Sequence, residues 1–275
     1  MKVNLPTRVT IAGFGLLLAV VFSLPSLAQG QANPQDQSKP KTAVPEPGTK
    51  GTTPRIVTLE ERADIFMARK EYADAVDYYY RALKQIKLKD AALWNKLGIA
   101  YQQQLEYKRA RNAYKKAIKL NKLYAEAWNN IGTTYFMQKN PKKSVKYYRK
   151  AIELKPNNAT YHLNLGTSYY HLKKYPEAVE EYRAALMIDP DILFRRGLGG
   201  TVVQARGTDV QFYYYLAKVF ASLGRADEAV RYLRRAFEDG FADRKKVEED
   251  SDFQKISKYP AFVDLMKNPP TALKD

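Results

Sequence analysis

From about residue 56 onward the chain runs as short amphipathic stretches with helical period. Trp94, Leu97, Gly98 and Tyr101 stand at i, i+3, i+4 and i+7, which puts them on one face of a helix. In the next stretch Ala110, Tyr114 and Ala117 set small residues on either side of one large knob. The glycine marks a place where no side chain fits, so a neighbouring helix can approach closely. A single pair of such helices cannot bury its own apolar face, whereas a stack of pairs can. The pattern predicts an all-α array.

The pattern recurs. Gly98, Gly132 and Gly166 are 34 residues apart, as are Trp94, Trp128 and His162, and Tyr101, Tyr135 and Tyr169. Tyr114, Tyr148 and Tyr182 keep that spacing, and so do Ala117, Ala151 and Ala185. Two weaker copies flank them: Leu59-Ala63-Phe66 with Ala75-Tyr79-Ala82 before, and Tyr213-Leu216-Ala217-Phe220 with Ala229-Leu233-Ala236 after. The columns resemble the tetratricopeptide repeat, with its W-x2-L-G-x2-Y and A-x3-F/Y signature followed by A and P. Three features depart from it: Lys122 replaces the linker proline, one extra residue separates the first two copies, and His162 fills a tryptophan slot.

The resemblance implies a right-handed superhelix, an α-solenoid, of about five helix-turn-helix units at about 56–90, 91–124, 125–158, 159–190 and 210–241. Residues 191–209 interrupt the period, with Gly197-Leu198-Gly199-Gly200 read as the turn of a small hairpin or loop. Residues 242–275 read as capping helices and a tail, on the apolar face of Phe253, Ile256, Tyr259, Phe262 and Leu265. The acidic run Glu248-Glu249-Asp250-Ser251-Asp252 suits a helix start.

Ahead of the repeats, Lys2 and Arg8 precede an apolar or small stretch from Ile11 to Leu24, and Ser26-Leu27-Ala28 offers small residues for cleavage. Residues 1–28 therefore read as a secretory signal, with an uncleaved anchor as the alternative. Residues 29–55 hold five prolines and no period, which predicts a flexible tether. The expected location is the cell envelope, periplasmic or extracellular.

Composition narrows the chemistry. No cysteine is present, which excludes disulfides and thiolate sites. The histidines His162 and His171 are nine apart, not the three or four that set two metal ligands on one helical face. The glycine run lacks the Lys-Ser/Thr of a phosphate loop. Neither an enzyme nor a cofactor nor a metal site is expected.

What remains is binding. The family resemblance implies that the first helix of each pair lines a concave groove for a partner protein's segment. Asn130 and Asn164 occupy a position where some members bond a ligand backbone, and an amide can both donate and accept. Asn95 and Asn129 sit one residue earlier in their columns. Thr133, Phe136, Leu163, Thr167, Tyr170, His171 and Lys218, with Met137 and Tyr214, complete the expected trough.

The net charge of +17 is concentrated: residues 91–158 carry 15 Lys and Arg against three acids. Lys108 with Lys142, Arg109 with Lys143, Lys115 with Arg149, and Lys116 with Lys150 stand 34 apart, which predicts a basic stripe on the second helices. Such a stripe suits an anionic membrane surface or acidic polymer as a second partner, with solvation alone as the plain alternative. The export signal disfavours nucleic acid.

Overall fold

The computed structural model describes residues 57–194 and 209–272, and every element in them is helical. The signal, the tether, residues 195–208 of the insertion and the last three residues lie outside the described residues. Helices come in consecutive pairs: α1 (Leu59–Ala68) with α2 (Tyr72–Gln85), α3 (Ala91–Gln103) with α4 (Tyr107–Leu120), and α5 (Ala125–Met137) with α6 (Pro141–Leu154). They continue as α7 (Ala159–His171) with α8 (Tyr175–Ile188) and α9 (Val210–Ser222) with α10 (Ala226–Glu238). Three short helices follow: α11 (Arg244–Glu249), α12 (Ser251–Gln254) and α13 (Pro260–Lys267). The described residues form two compact units, 57–130 and 131–272, and the division falls within α5.

Local chemistry fixes the helix ends. Thr58 and Glu61 make a reciprocal capping box at α1, and Asp90, Asn158 and Asp209 cap α3, α7 and α9 through their side chains. The turn inside each pair is the same device five times. Lys70, Leu105, Lys139, Lys173 and Gly224 all have φ between 57° and 70°, and only the last is a glycine. The next residue's N–H then returns to a carbonyl five back, as in Glu106 to Tyr101 and Asn140 to Tyr135, both at 2.9 Å.

In three of the five pairs the first helix meets its partner through bare backbone. A Cβ built on Gly98 would lie 2.4 Å from the Tyr114 ring, one on Gly132 2.7 Å from Tyr148, and one on Gly166 2.8 Å from Tyr182. All three tyrosines are buried, so the glycine column exists to seat the tyrosine column.

The tryptophan slot has a second purpose. Trp94 Nε1 donates to the Leu88 carbonyl at 3.0 Å and Trp128 Nε1 to that of Lys122 at 3.2 Å, each six residues back. His162 Nε2 meets the Pro156 carbonyl at 2.9 Å, the same offset. The ring types differ and the tether of the inter-repeat turn is kept.

In the second unit α9 packs on α8 and α12, and α10 on α13. An aromatic seam of Phe212, Tyr214, Phe220, Phe241, Phe253 and Phe262 runs through its core. Asp250 accepts from the Asp252 N–H at the start of α12, so part of the acidic run does serve a helix start. No helix among the described residues is long and apolar enough to cross a membrane.

Candidate functional site

The expected groove residues divide into two groups. In the first unit Asn95, Asn129 and Asn130 are all buried. Asn129 Nδ2 donates to Asn130 Oδ1 at 3.2 Å, and Asn130 Nδ2 donates to Asn95 Oδ1 at 3.0 Å. These amides, expected to face a ligand, bond one another within the fold. They join α3 to α5, and a buried amide without such a partner would cost about 1–3 kcal/mol.

Thr133, Leu163 and Thr167 of the second unit are buried as well. Thr133 Oγ1 lies 3.1 Å from the Tyr148 hydroxyl, and the Tyr182 hydroxyl donates to Thr167 Oγ1 at 3.3 Å. The knob that needs a glycine beneath its ring also needs a polar neighbour for its hydroxyl, and the residue after the glycine supplies it. Where that residue is Ile99, Tyr114 turns to Gln102 Oε1 at 2.9 Å instead. Tyr170 is buried, with its hydroxyl donating to Asp209 Oδ1 at 2.6 Å. Lys218 Nζ lies 2.6 Å from Asp250 and 3.5 Å from Asp252, so it belongs to the packing of α9 on α12.

Phe136, Asn164 and His171 remain open to solvent in whole or part. Phe136 on α5 and His171 on α7 meet edge to face at 5.0 Å. Farther along, Tyr175 at the start of α8 stacks on Tyr215 of α9 at 4.5 Å, both half-exposed. The Lys246 ammonium stands 5.6 Å from the Tyr215 ring. The second unit thus presents aromatic faces and an amide from its first helices and the start of α8, with a cation from α11. Tyr215 was missed at the sequence level. With the 17 residues by which the insertion exceeds one period removed, it falls in the column of Asn130 and Asn164.

The basic residues of the expected stripe lie on the second helices α4 and α6, and several have partners within their own unit. On α4, Lys108 and Lys115 are exposed, Arg109 pairs with Glu106 at 3.0 Å and lies 5.7 Å from the Tyr101 ring, and Lys116 stands 4.1 Å over Trp94. On α6, Lys142 is exposed, Lys143 lies 5.5 Å from Tyr135, Arg149 5.7 Å from Tyr169, and Lys150 2.6 Å from Glu153. Arg109 and Lys143 occupy one column and so do Tyr101 and Tyr135, which gives the charge register an internal reason: the cation rests on an aromatic face of its own repeat.

Three titratable clusters stand out. Asp64 accepts the Tyr79 hydroxyl at 2.5 Å and Lys96 at 2.7 Å. Burial first, then the neighbouring Asp64, pushes the Tyr79 phenol up. Asp250 accepts Lys218 and, at 3.2 Å, the Tyr214 hydroxyl. Burial works against its charge, but the bonds from Lys218, the Asp252 N–H and Tyr214 outweigh it and hold the carboxyl below its ordinary value. His162 Nδ1 lies 2.7 Å from Glu181, which raises the imidazole above its ordinary value against the opposing effect of burial. Each cluster is an ion pair of the packing, and no group of acids and histidines among the described residues could hold a metal. A cavity of about 340 Å³ lies between α11, α12 and α13, lined by Val247, Phe253, Phe262 and Met266.

Tetratricopeptide repeat models match residues 106–139, 125–158, 159–192 and 210–238. With the glycine–tyrosine columns and paired helices on the page, the conclusion is direct: residues 106–192 and 210–238 are built of tetratricopeptide repeats. Among solved structures, a crystal structure of MamA is 22% identical, covering 68% of this chain and 96% of that one, with a TM-score of 0.46. YrrB, described as a TPR protein with an unusual peptide-binding site, is 18% identical over 73% of this chain and 90% of its own, with a TM-score of 0.44. Pseudomonas aeruginosa pilF is 18% identical over 73% and 80%, with a TM-score of 0.47. Likenesses this distant say nothing of this chain's partner. No curated protein matches the chain. The repeat family supports a protein–protein interaction scaffold.

Proposed function

We propose that the chain is a non-enzymatic scaffold of the cell envelope that holds a segment of a partner protein on the first-helix face of its second unit. The observation that carries this reading is the set of side chains on this face that solvent reaches in whole or part: Phe136, Asn164, His171, Tyr175 and Tyr215. Aromatic faces offer contact area at low entropic cost, and an amide can pair with a peptide unit whatever its side chain. The envelope location rests on residues 1–28 alone, and a mature N-terminus at Gln29 would support it.

The test is site-specific photocrosslinking in native extract. A crosslinker at Asn164 or His171 is expected to give one discrete adduct that persists at high salt, while one at Lys146 on α6 gives none. Equal adducts from all three positions, or none from any, would reject this face as the binding site.

A further inference from the structure

The two turns that join successive repeats in the first unit carry a pattern that packing does not explain. Residues 84–89, between α2 and α3, read Lys-Gln-Ile-Lys-Leu-Lys, and residues 119–123, between α4 and α5, read Lys-Leu-Asn-Lys-Leu. Every one of these eleven residues is exposed. Ile86 is 44%, Leu88 39%, Leu120 46% and Leu123 75% open to solvent. Interleaved with them are Lys84, Lys87, Lys89, Lys119 and Lys122, and the one acid in either turn, Asp90, is spent on capping α3.

The turns lie side by side. Both precede the starts of first helices, α3 and α5, which Asn95 and Asn130 join at 3.0 Å. Trp94 and Trp128 bond the Leu88 and Lys122 carbonyls, so the backbone of each turn is fixed while its side chains face outward. An isolated exposed leucine needs no explanation. Four in one place, alternating with five cations, are another matter.

We propose that this edge seats the protein on an anionic lipid bilayer, with Leu88, Leu120 and Leu123 entering the boundary between headgroups and acyl chains and the lysines contacting headgroup phosphates. Apolar side chains ringed by cations are the combination that binds such a surface. Ile86, Leu88, Leu120 and Leu123 would gain from the acyl boundary of a bilayer and little from an acidic chain alone, which favours a lipid surface. The second unit supplies a contrast. At the end of α8, Met187 is 70% and Ile188 38% exposed, but residues 185–194 hold Asp189 and Asp191 and no Lys or Arg, so apolar exposure there comes without the positive charge. The inference does not draw on the partner-binding face, and a different readout tests it.

Because the chain has no cysteine, a single Leu123→Cys substitution takes one polarity-sensitive dye. Leu105→Cys, 65% exposed in the turn at the far end of α3, about 20 Å away, is the control. The labelled full chain is mixed with phosphatidylcholine vesicles, with or without phosphatidylglycerol. The expected result is a blue shift at position 123 only when phosphatidylglycerol is present, and none at position 105. Lys119→Glu with Lys122→Glu should lower the phosphatidylglycerol-dependent binding at least about tenfold. Binding common to both vesicle types reports the apolar segment near the N-terminus and is subtracted. A dye at 123 that stays unshifted while the chain floats with anionic vesicles would overturn the proposal, as would equal shifts at both positions. Polyglutamate capture that depends on Lys119 and Lys122, without a lipid-induced shift, would reassign the edge to an acidic protein.

Discussion

The two units share one backbone plan and meet its polar demands with different chemistry. In residues 57–130 the inter-repeat tethers are indoles, the buried cross-repeat link is an amide pair, and the Asp64 cluster lies 44% open at the carboxylate. In residues 131–272 the tether is an imidazole, the cross-repeat link is Ser144 to Ser168 at 2.8 Å, and the Asp250 side chain is 10% exposed. The repeat fold therefore specifies a donor at one place and an acceptor at another, and leaves the residue type open. The choice also decides how each region answers to pH. The indole tethers do not titrate, whereas the His162 tether does.

The largest effects should come from the glycine seats. Gly98→Ala forces a Cβ to 2.4 Å from a fully buried ring and should cost about 3 kcal/mol. Gly166→Ala, where the approach is 2.8 Å, should cost about 1–2 kcal/mol. Equal costs in urea unfolding would mean that the two seats do not differ.

Next come the carboxylate clusters. Asp250→Ala strands Lys218 and the Tyr214 hydroxyl and uncaps α12, for roughly 2–4 kcal/mol. Asp64→Ala should cost roughly 1 kcal/mol, because water can replace part of what Lys96 and Tyr79 lose. Since the Asp250 carboxyl titrates below its ordinary value, its contribution is present above about pH 4 and is lost as pH falls through the depressed folded value. Asp250→Asn should flatten that acid limb of the stability profile.

His162 has the opposite sign. Its folded value is raised, so its contribution is complete below the ordinary histidine value of about 6.5 and is lost as pH rises through the folded value. Urea midpoints measured from pH 5 to 9 should fall across that window, and His162→Phe should remove the slope.

The smallest effect tests the left-handed turn position. Leu105→Gly should gain at most about 1 kcal/mol and Gly224→Ala should lose about 1 kcal/mol, read from thermal midpoints.

The fold was legible because the 34-residue columns repeat, and a column of Gly, Tyr and Ala has few other physical readings. The site was legible only in outline. Asn130 and Thr133 look like ligand groups on a helical wheel, since a wheel shows which face a residue occupies and not which neighbour has already claimed it. Asn95 is 35 residues from Asn130, and Tyr148 is 15 from Thr133. Those separations mean something only after the helices are stacked. Tyr215 escaped notice for a simpler reason, because the insertion shifted its register. The basic columns hid a second partner at the sequence level, since Tyr101 and Tyr135 keep the same period and lie beside Arg109 and Lys143.

The glycine–tyrosine seat has a consequence for how such a chain can grow. Gly98 meets Tyr114, Gly132 meets Tyr148 and Gly166 meets Tyr182, so lock and key always sit 16 residues apart within one copy. A duplicated 34-residue cassette would arrive with its most demanding fit already made, leaving only the junctions to be matched. Lengthening or shortening the array by whole copies is thus a smaller genetic step than changing one glycine.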